Sequence, residues 1–280
     1  MPPEVHAGAR LADPQAVEDA TAGGRADGGA EASRDGGAGA WSDAYLRVRE
    51  LEGRRYPDAI VARLPDVPAS DPLAREWRIR ADSAVRLLGH LDRLPRPLGI
   101  LDVGCGNGWL ANLMAGVDGS RVVAVDANEA ELAQARRVFG ERTNLAFVLA
   151  DIAVVGTPMS DPSVIVLASM AQYVADLAAL LRRLRSWLPP DGELHIIDTP
   201  FYTADELADA RERSRRHYAD VGVPEMADIY RHHDWAVLDE FGPEVLHHPG
   251  SGRARASRLL GRPTSPFPWI RIRGRAPARP

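Results

Sequence analysis

The sequence contains no lysine and a single cysteine, and both shortages exclude whole classes of chemistry. All 34 basic residues in the 280-residue chain are arginine. A Schiff-base lysine and the phosphate-binding lysine of a P-loop are therefore excluded. Because Cys105 stands alone, an internal disulfide and a cysteine-based metal cluster are excluded as well.

Long apolar runs and an excess of positive charge are missing too. No apolar run reaches the roughly 20 residues that a membrane-spanning helix needs. The N-terminus lacks the basic stretch followed by an apolar stretch that is typical of a signal peptide. The net charge of -5 at pH 7 disfavours a nucleic-acid-binding surface. We expect a cytoplasmic protein with a small-molecule substrate and with neither membrane nor nucleic-acid partners; the oligomeric state is left open.

Composition divides the chain into three parts. Residues 1–40 are dominated by Ala, Gly, Asp and Glu and have no aromatic residue, which predicts a disordered leader. Residues 41–97 predict a helical N-terminal extension. In it, Ser42 would cap one helix and Asp71 would cap a longer amphipathic helix. Residues 98–280 predict the main domain.

Strands and helices alternate in the main domain, which predicts a parallel sheet with right-handed crossovers. The predicted strands are 98–103, 121–126, 145–149, 164–168 and 193–198, and the predicted helices are 107–117, 129–139, 171–188 and 204–219. Further along, residues 237–246 and 269–272 are candidates for two last strands, and residues 249–266 resemble a long loop.

The segment Leu-Asp-Val-Gly-Cys-Gly-Asn-Gly-Trp-Leu, residues 101–110, is the most informative part of the chain. It places an acid and three alternating glycines where an apolar strand ends and a helix can begin. The next predicted strand ends in another acid, Asp126. Together these features predict a nucleotide-type cofactor pocket at the carboxyl edge of the sheet. A dinucleotide fingerprint needs a small residue where Trp109 stands, so a nicotinamide cofactor is disfavoured.

This pattern of Asp-x-Gly-x-Gly-x-Gly, followed by a strand that ends in an acid, resembles motif I of the class I S-adenosylmethionine-dependent methyltransferases. The resemblance implies an α/β, Rossmann-like fold. Its mostly parallel seven-stranded sheet would carry helices on both faces, and a helical N-terminal extension would lie over the pocket. The implied cofactor is S-adenosyl-L-methionine. The implied activity is methylation of a small molecule, such as a specialised metabolite or a sugar-derived compound.

The resemblance also implies roles for the residues of the glycine loop. Gly104, Gly106 and Gly108 would let the backbone approach the methionine part of the cofactor. Asp102 would orient this loop or meet the cofactor's amino group, directly or through water.

Further cofactor contacts are implied at the ends of the next strands. Asp126 would accept hydrogen bonds from the ribose hydroxyls, with Ala127 beside it. Asp151 would read the exocyclic amine of adenine, and Ile152 would cover the ring. Ser169 would lie near the methionine moiety or face the acceptor, unless it only caps a helix.

The catalytic group is less determined, because methyl transfer needs a base only when the acceptor carries a proton. Tyr173, His217 and His233 are the candidates for such a base. The neighbours His232 and Asp234 lack a spacing typical of metal ligands, so no metal site is predicted. The same fold could also consume the cofactor as a substrate and release methylthioadenosine, or bind it without turnover. The residues do not separate these possibilities.

Two further residues are predicted to pack rather than react. Cys105 lies inside the glycine loop and has no specific histidine partner, so it is interpreted as a space-filling residue. His195 lies in the middle of a predicted strand and is interpreted as a core residue.

Overall fold

The computed structural model describes residues 37–261 and 264–275. The helices are α1 Gly37–Leu51, α2 Asp58–Val61, α3 Ala74–Leu91, α4 Trp109–Met114, α5 Glu129–Phe139, α6 Leu177–Ser186, α7 Leu207–Val221, α8 Met226–Ile229 and α9 Gly252–Leu259. The strands are β1 Leu98–Val103, β2 Ser120–Asp126, β3 Leu145–Leu149, β4 Val164–Ala168, β5 Glu193–Ile197, β6 Phe201–Tyr202, β7 His233–Asp234, β8 Glu244–His247 and β9 Trp269–Arg273. Short 3₁₀ helices span Ala171–Tyr173 and Trp235–Phe241.

The main sheet has seven strands in the order β3-β2-β1-β4-β5-β9-β8. The first five are parallel, and β9 runs antiparallel to both β5 and β8. The register places Val103 beside Val125 and Leu167, so β1, β2 and β4 end at one edge of the sheet. The predicted Rossmann-like α/β fold, with its mostly parallel seven-stranded sheet, is therefore confirmed.

Alternate residues of the central strand fill two separate cores. Ile100 packs in a cluster with residues of α3, α4 and α5, including Leu87 and Met114. Leu101 packs in the other cluster with residues of α6, including Leu181. Every residue of β1 is buried, as expected for a strand covered by helices on both faces.

The predicted helix 171–188 is divided into two pieces. The 3₁₀ turn Ala171–Tyr173 ends at Val174, whose backbone is extended. The carboxylate of Asp176 then accepts a hydrogen bond from the amide of Ala179 and caps α6. Asp176 thus begins a new helix inside a continuous apolar pattern. The periodicity of that pattern does not show where one helix ends and the next begins.

Two expectations for the C-terminal region are wrong. The predicted strand 237–246 is mostly the 3₁₀ helix Trp235–Phe241, which Asp234 caps and which Gly242 ends in a left-handed conformation. Only β8 remains as a strand there. The predicted loop 249–266 contains α9.

The N-terminal extension is helical, with different helix starts. Of the predicted leader, residues 1–36 lie outside the described residues, and residues 37–40 already belong to α1, which therefore begins before Ser42. The carboxylate of Asp71 accepts hydrogen bonds from the amide of Leu73 and the hydroxyl of Tyr56, and α3 begins only at Ala74. No helix among the described residues is both long and apolar enough to cross a membrane.

Candidate active site

The loop from β1 to α4 carries the three glycines, and each adopts a left-handed backbone, with φ between 54° and 76°. A Cβ atom on Gly108 would lie 2.7 Å from Cε1 of Phe147, and one on Gly104 would lie 2.7 Å from Cβ of Met170. Only glycine fits both the conformation and the close approach at these two positions. Gly108 thus packs the loop on β3 and does not line the cavity described below.

Asp126, the last residue of β2, holds the glycine loop in place. One of its carboxylate oxygens accepts a hydrogen bond from the amide of Gly106 at 2.7 Å. The other accepts from the amide of Asn128 at 2.8 Å. Burial raises the pKa of Asp126 above its ordinary value, although both hydrogen bonds oppose that shift.

Asp102 near the end of β1 is buried without a partner. The residue is 1% exposed, and neither carboxylate oxygen has a hydrogen-bond partner among the described residues. Burial first, and then the charge of Asp126, raise the pKa of Asp102 to about 7. An unpaired buried carboxylate is costly, so a cationic or hydrogen-donating ligand group at this point would stabilise it.

A cavity of about 940 Å³ opens at this edge of the sheet. The residues predicted to hold the cofactor that line it are Gly104, Asp126, Ala127, Asp151, Ile152 and Ser169. The other three, Asp102, Gly106 and Gly108, lie in β1 and in the loop that follows it. The structure therefore gathers residues from four strand ends, far apart in the sequence, around one space.

Ser169, just after β4, has a left-handed backbone with φ of 53°, and Asp198, just after β5, has φ of 52°. They are the non-glycine residues with positive φ in the part of the chain that the structure describes. The hydroxyl of Ser169 donates to the carbonyl of Asp198 at 3.3 Å, and its carbonyl accepts from Nε2 of Gln172 at 2.6 Å. Ser169 is thus not a helix cap. Strained backbone at two adjacent strand ends is typical of a functional site.

Aromatic rings form one wall of the cavity. Trp41 stacks on Tyr45 with ring centroids 5.7 Å apart, and Tyr45 meets the edge of Tyr173 at 5.5 Å. Burial raises the pKa of both tyrosines, so the phenols keep their protons at neutral pH. Tyr173 therefore lies in the cavity as a hydrogen-bond donor, and burial disfavours its role as a base.

The two histidine candidates for a base do not reach the cavity. His217 lies on the exposed face of α7, with Nε2 2.8 Å from a carboxylate oxygen of Glu52. His233 is buried, and its Nε2 donates to the carbonyl of Ala171 at 2.9 Å. His233 therefore braces the 3₁₀ turn that carries Tyr173. The path of the chain after β5, which the sequence pattern does not specify, places both imidazoles outside the cavity lining.

Sequence reasoning missed Trp41, which lines the cavity, and the left-handed backbone of Asp198, which lies outside the lining. Trp41 is the first aromatic residue of the chain, and this position in the sequence could have identified it as a candidate. Asp198 follows a strand just as Asp126 ends one, so the same strand-end pattern could have found it. One oxygen of the Asp198 carboxylate accepts from the hydroxyls of Ser83 and Ser265, and burial raises its pKa.

A second cluster of titratable groups lies at the amino end of β5. Donor atoms of His90, Glu193 and His195 lie within 4.8 Å of one another, as in a metal site. The indole N–H of Trp269 donates to Nδ1 of His195, which leaves the histidine proton on Nε2, 3.1 Å from Glu193. Glu193 also accepts from Arg271 at 2.9 Å. The nitrogen and oxygen atoms that could bind a metal are therefore already in hydrogen bonds, and we interpret the cluster as structural.

The two predicted packing residues lie where expected. His195 is fully buried within this cluster. The thiol of Cys105 is buried, and burial raises its pKa well above the ordinary value, which disfavours a thiolate nucleophile.

A family model described as a methyltransferase domain matches residues 100–192. A trans-aconitate 2-methyltransferase from Acidovorax ebreus is 36% identical over 118 residues, which are 42% of this chain and 44% of that protein. A ubiquinone biosynthesis O-methyltransferase from Xanthomonas oryzae pv. oryzae is 30% identical over 173 residues, which are 56% of this chain and 70% of that protein. The match thus spans less than half of the first relative's length.

Among solved structures, a plantazolicin methyltransferase in complex with SAH and a monoazolic desmethylPZN analog has a similar fold. The TM-score is 0.51 at 14% identity, and the match covers 85% of this chain and 98% of that one.

The sheet order, the glycine loop and the strand-end acids define a nucleotide-binding α/β domain of the methyltransferase type. With the relatives above, they show that the chain belongs to the class I S-adenosylmethionine-dependent methyltransferases. The family's cofactor is S-adenosylmethionine, and two observations fit it. Asp102 is a buried carboxylate without a partner, and Gly104 keeps the loop free of side chains at the cavity.

Proposed function

We propose that the chain transfers a methyl group from S-adenosylmethionine to a small molecule, such as a specialised metabolite. The observation that carries this proposal is the buried, unpartnered carboxylate of Asp102, which lies two residues before Gly104 in the lining of a cavity of about 940 Å³. That volume lies near the upper end of the usual range for small-molecule sites, roughly 300–1,000 Å³. It leaves room for both a cofactor and an acceptor.

Each cofactor-binding residue has a role in this proposal. Asp102 compensates the ammonium group of the cofactor, and the backbone at Gly104 lies along its methionine part. Asp126 accepts hydrogen bonds from the ribose hydroxyls while it keeps the loop closed. Asp151 and Ile152 meet the adenine at the cavity edge.

When bound, the cofactor supplies an electrophilic methyl carbon: the acceptor's lone pair bonds to it as the carbon–sulfur bond breaks, and that bond's electrons stay on sulfur. The chain contributes alignment and the exclusion of water. Ser169 is held at the end of β4 by its hydrogen bonds to the next strand and to Gln172. The protonated phenols of Tyr45 and Tyr173 donate hydrogen bonds to the acceptor rather than remove its proton.

Calorimetry with S-adenosylmethionine tests the cofactor site. We expect Asp126→Asn to weaken binding at least tenfold, because it loses the charged acceptor of hydrogen bonds. Asp220→Asn, on the exposed end of α7, is the matched control and should bind within twofold of the natural chain. Equal affinities for both variants, with unchanged circular dichroism, would exclude the proposed role of Asp126.

Turnover separates methyl transfer from the other reaction open to this fold. Incubation with S-adenosylmethionine alone should release no methylthioadenosine above an enzyme-free control. Methylthioadenosine, detected by mass spectrometry, would show instead that the chain consumes the cofactor as its substrate.

A further inference from the structure

The wall that would face a methyl acceptor is aromatic. Trp41 and Tyr45 come from α1, and Tyr173 comes from the turn after β4. Behind them, Tyr230 lies 6.0 Å from Tyr173, centroid to centroid. The hydroxyls of Tyr45 and Tyr173, which line the cavity, make no hydrogen bond to another described residue, so they are available to a ligand. Such a wall suits a flat ring with polar substituents.

The charged residues of the cavity lining are mostly acidic. Asp126, Glu129, Asp151 and Asp176 contribute four carboxylates, against one arginine, Arg183. The potential inside the cavity is therefore negative, and its apolar walls strengthen it. A negative field favours cations and opposes anions.

The lining arginine contacts two groups of the protein itself. Arg183, on α6, donates a hydrogen bond to the carbonyl of Val155, in the loop after β3. Its guanidinium lies 5.5 Å from the ring centroid of Trp187. A carbonyl oxygen and an aromatic ring therefore already contact this guanidinium.

The arginines nearest the aromatic wall are already paired with carboxylates. Arg49 lies 3.0 Å from Glu131 and 5.6 Å from the ring of Tyr45. Arg54 lies 2.7 Å from Glu52. Glu131 and Glu52 offset the charges of these two arginines, which weakens their attraction for a carboxylate ligand.

We propose that the methyl acceptor is a small aromatic molecule that is neutral or positively charged, and that polycarboxylates are excluded. This inference rests on the proposed function and names the class of its substrate. It separates this chain from its trans-aconitate-methylating relatives, which are named for a tricarboxylate substrate. Cation–π attraction to Trp41 and the tyrosines adds to the preference for a cation.

Three probes with the same phenol ring test the charge preference. Tyramine is a cation, tyrosol is neutral, and 4-hydroxyphenylacetate is an anion. Their affinities are measured by calorimetry on the full chain saturated with S-adenosylhomocysteine. We expect tyramine and tyrosol to bind at least tenfold more tightly than 4-hydroxyphenylacetate. Equal or tighter binding of the anion, binding of none of the three, or methylation of trans-aconitate would each overturn the proposal.

A pair of matched variants tests whether the lining carboxylates cause the negative potential inside the cavity. Asp176→Asn removes a cavity carboxylate, and asparagine caps a helix as well as aspartate does. The ratio of tyramine to 4-hydroxyphenylacetate affinity should fall severalfold. Asp234→Asn is the control, because Asp234 caps the 3₁₀ helix Trp235–Phe241 and lies outside the lining. An unchanged affinity ratio in Asp176→Asn would contradict the electrostatic origin of the charge preference.

A third variant tests whether tyramine binds against the aromatic wall. Tyr45→Leu should weaken tyramine binding at least tenfold and leave S-adenosylhomocysteine affinity within threefold, whereas Tyr202→Leu, outside the lining, should leave both unchanged. Retained tyramine binding in Tyr45→Leu would overturn the aromatic wall as the acceptor site. Failure of S-adenosylhomocysteine to bind the natural chain would instead refute the proposed function, so the two failures are distinguishable.

Discussion

The buried, unpaired carboxylate of Asp102 destabilises the folded protein when no ligand is bound. Its pKa of about 7 lies well above the ordinary value near 3.9. Between these values the unfolded chain has released the proton that the folded chain retains. The free energy of unfolding therefore falls as the pH rises through this window, by up to about 4 kcal/mol above pH 7.

Asp102→Asn removes this titration. We expect the variant to unfold at higher urea concentration than the natural chain at pH 8, and the difference to shrink toward pH 4.5. Its affinity for S-adenosylmethionine should fall at the same time, since the ammonium group loses its counter-charge. A stability difference that does not change with pH would show that Asp102 is not the titrating group.

Two glycines, one after α1 and one in the glycine loop, separate conformational strain from steric conflict. Gly53 and Gly108 share a left-handed backbone, yet a Cβ atom meets nothing within 4 Å at Gly53 and meets Phe147 at 2.7 Å at Gly108. We expect Gly53→Ala to cost about 1 kcal/mol of unfolding free energy and Gly108→Ala about 1–3 kcal/mol more. Urea unfolding measures both. Equal costs would mean that β3 moves freely away from the loop.

At the scale of elements, α1 matters because it supplies part of the cavity wall from outside the sheet. Its Val48 packs with Tyr218 of α7 and Met226 of α8. The hydroxyl of Ser42 accepts a hydrogen bond from the side chain of Asn128, which caps α5. The position of Trp41 and Tyr45 thus depends on packing between helices that are far apart in the sequence.

Val48→Ala should loosen α1 without unfolding the sheet. The lost burial costs about 1–2 kcal/mol locally, so the amides of α1 should exchange with solvent faster. Hydrogen-exchange mass spectrometry measures this against Val85→Ala, whose side chain in α3 is 68% exposed. Equal exchange in both variants would indicate that α1 is held by other contacts.

At the scale of the whole molecule, the proposed cofactor site and a buried polar cluster lie at opposite ends of the sheet. The residues proposed to bind the cofactor lie at the carboxyl ends of the strands, whereas Glu193 starts β5 and joins α3 to β9 through His90 and Arg271. Burial by itself would raise the pKa of Glu193, but hydrogen bonds from His195 and His90 outweigh it and leave that pKa lowered. Its contribution to stability is therefore present above about pH 4.3 and is lost only as the pH falls through the lowered pKa.

Glu193→Gln should destabilise the fold by about 3 kcal/mol, because the mostly buried Arg271 loses its counter-charge. The affinity for S-adenosylmethionine should remain within threefold. Glu240→Gln, which breaks the exposed pair with Arg182, should leave the free energy of unfolding close to that of the natural chain. Urea unfolding and calorimetry check the two quantities. A loss of affinity in Glu193→Gln at temperatures where it is folded would show that the two ends are coupled.

Local patterns determined the nucleotide-binding half of this protein. The glycine spacing and the strand-end acids predicted the loop, the order of the first five strands along the chain and the residues around the cavity, because each depends on a few neighbouring residues. The boundaries that failed, in the region of Asp176 and in residues 237–246, were decided by a cap or by a short 3₁₀ turn.

Only the tertiary structure decided which distant side chains face the cavity. His217 and His233 carry the right chemistry, but the path after β5 turns one to solvent and ties the other to the carbonyl of Ala171. Trp41 and Tyr45 reach the cavity because α1 packs on α7 and α8. Such contacts depend on how whole helices pack, and neither periodicity nor spacing along the chain contains that information.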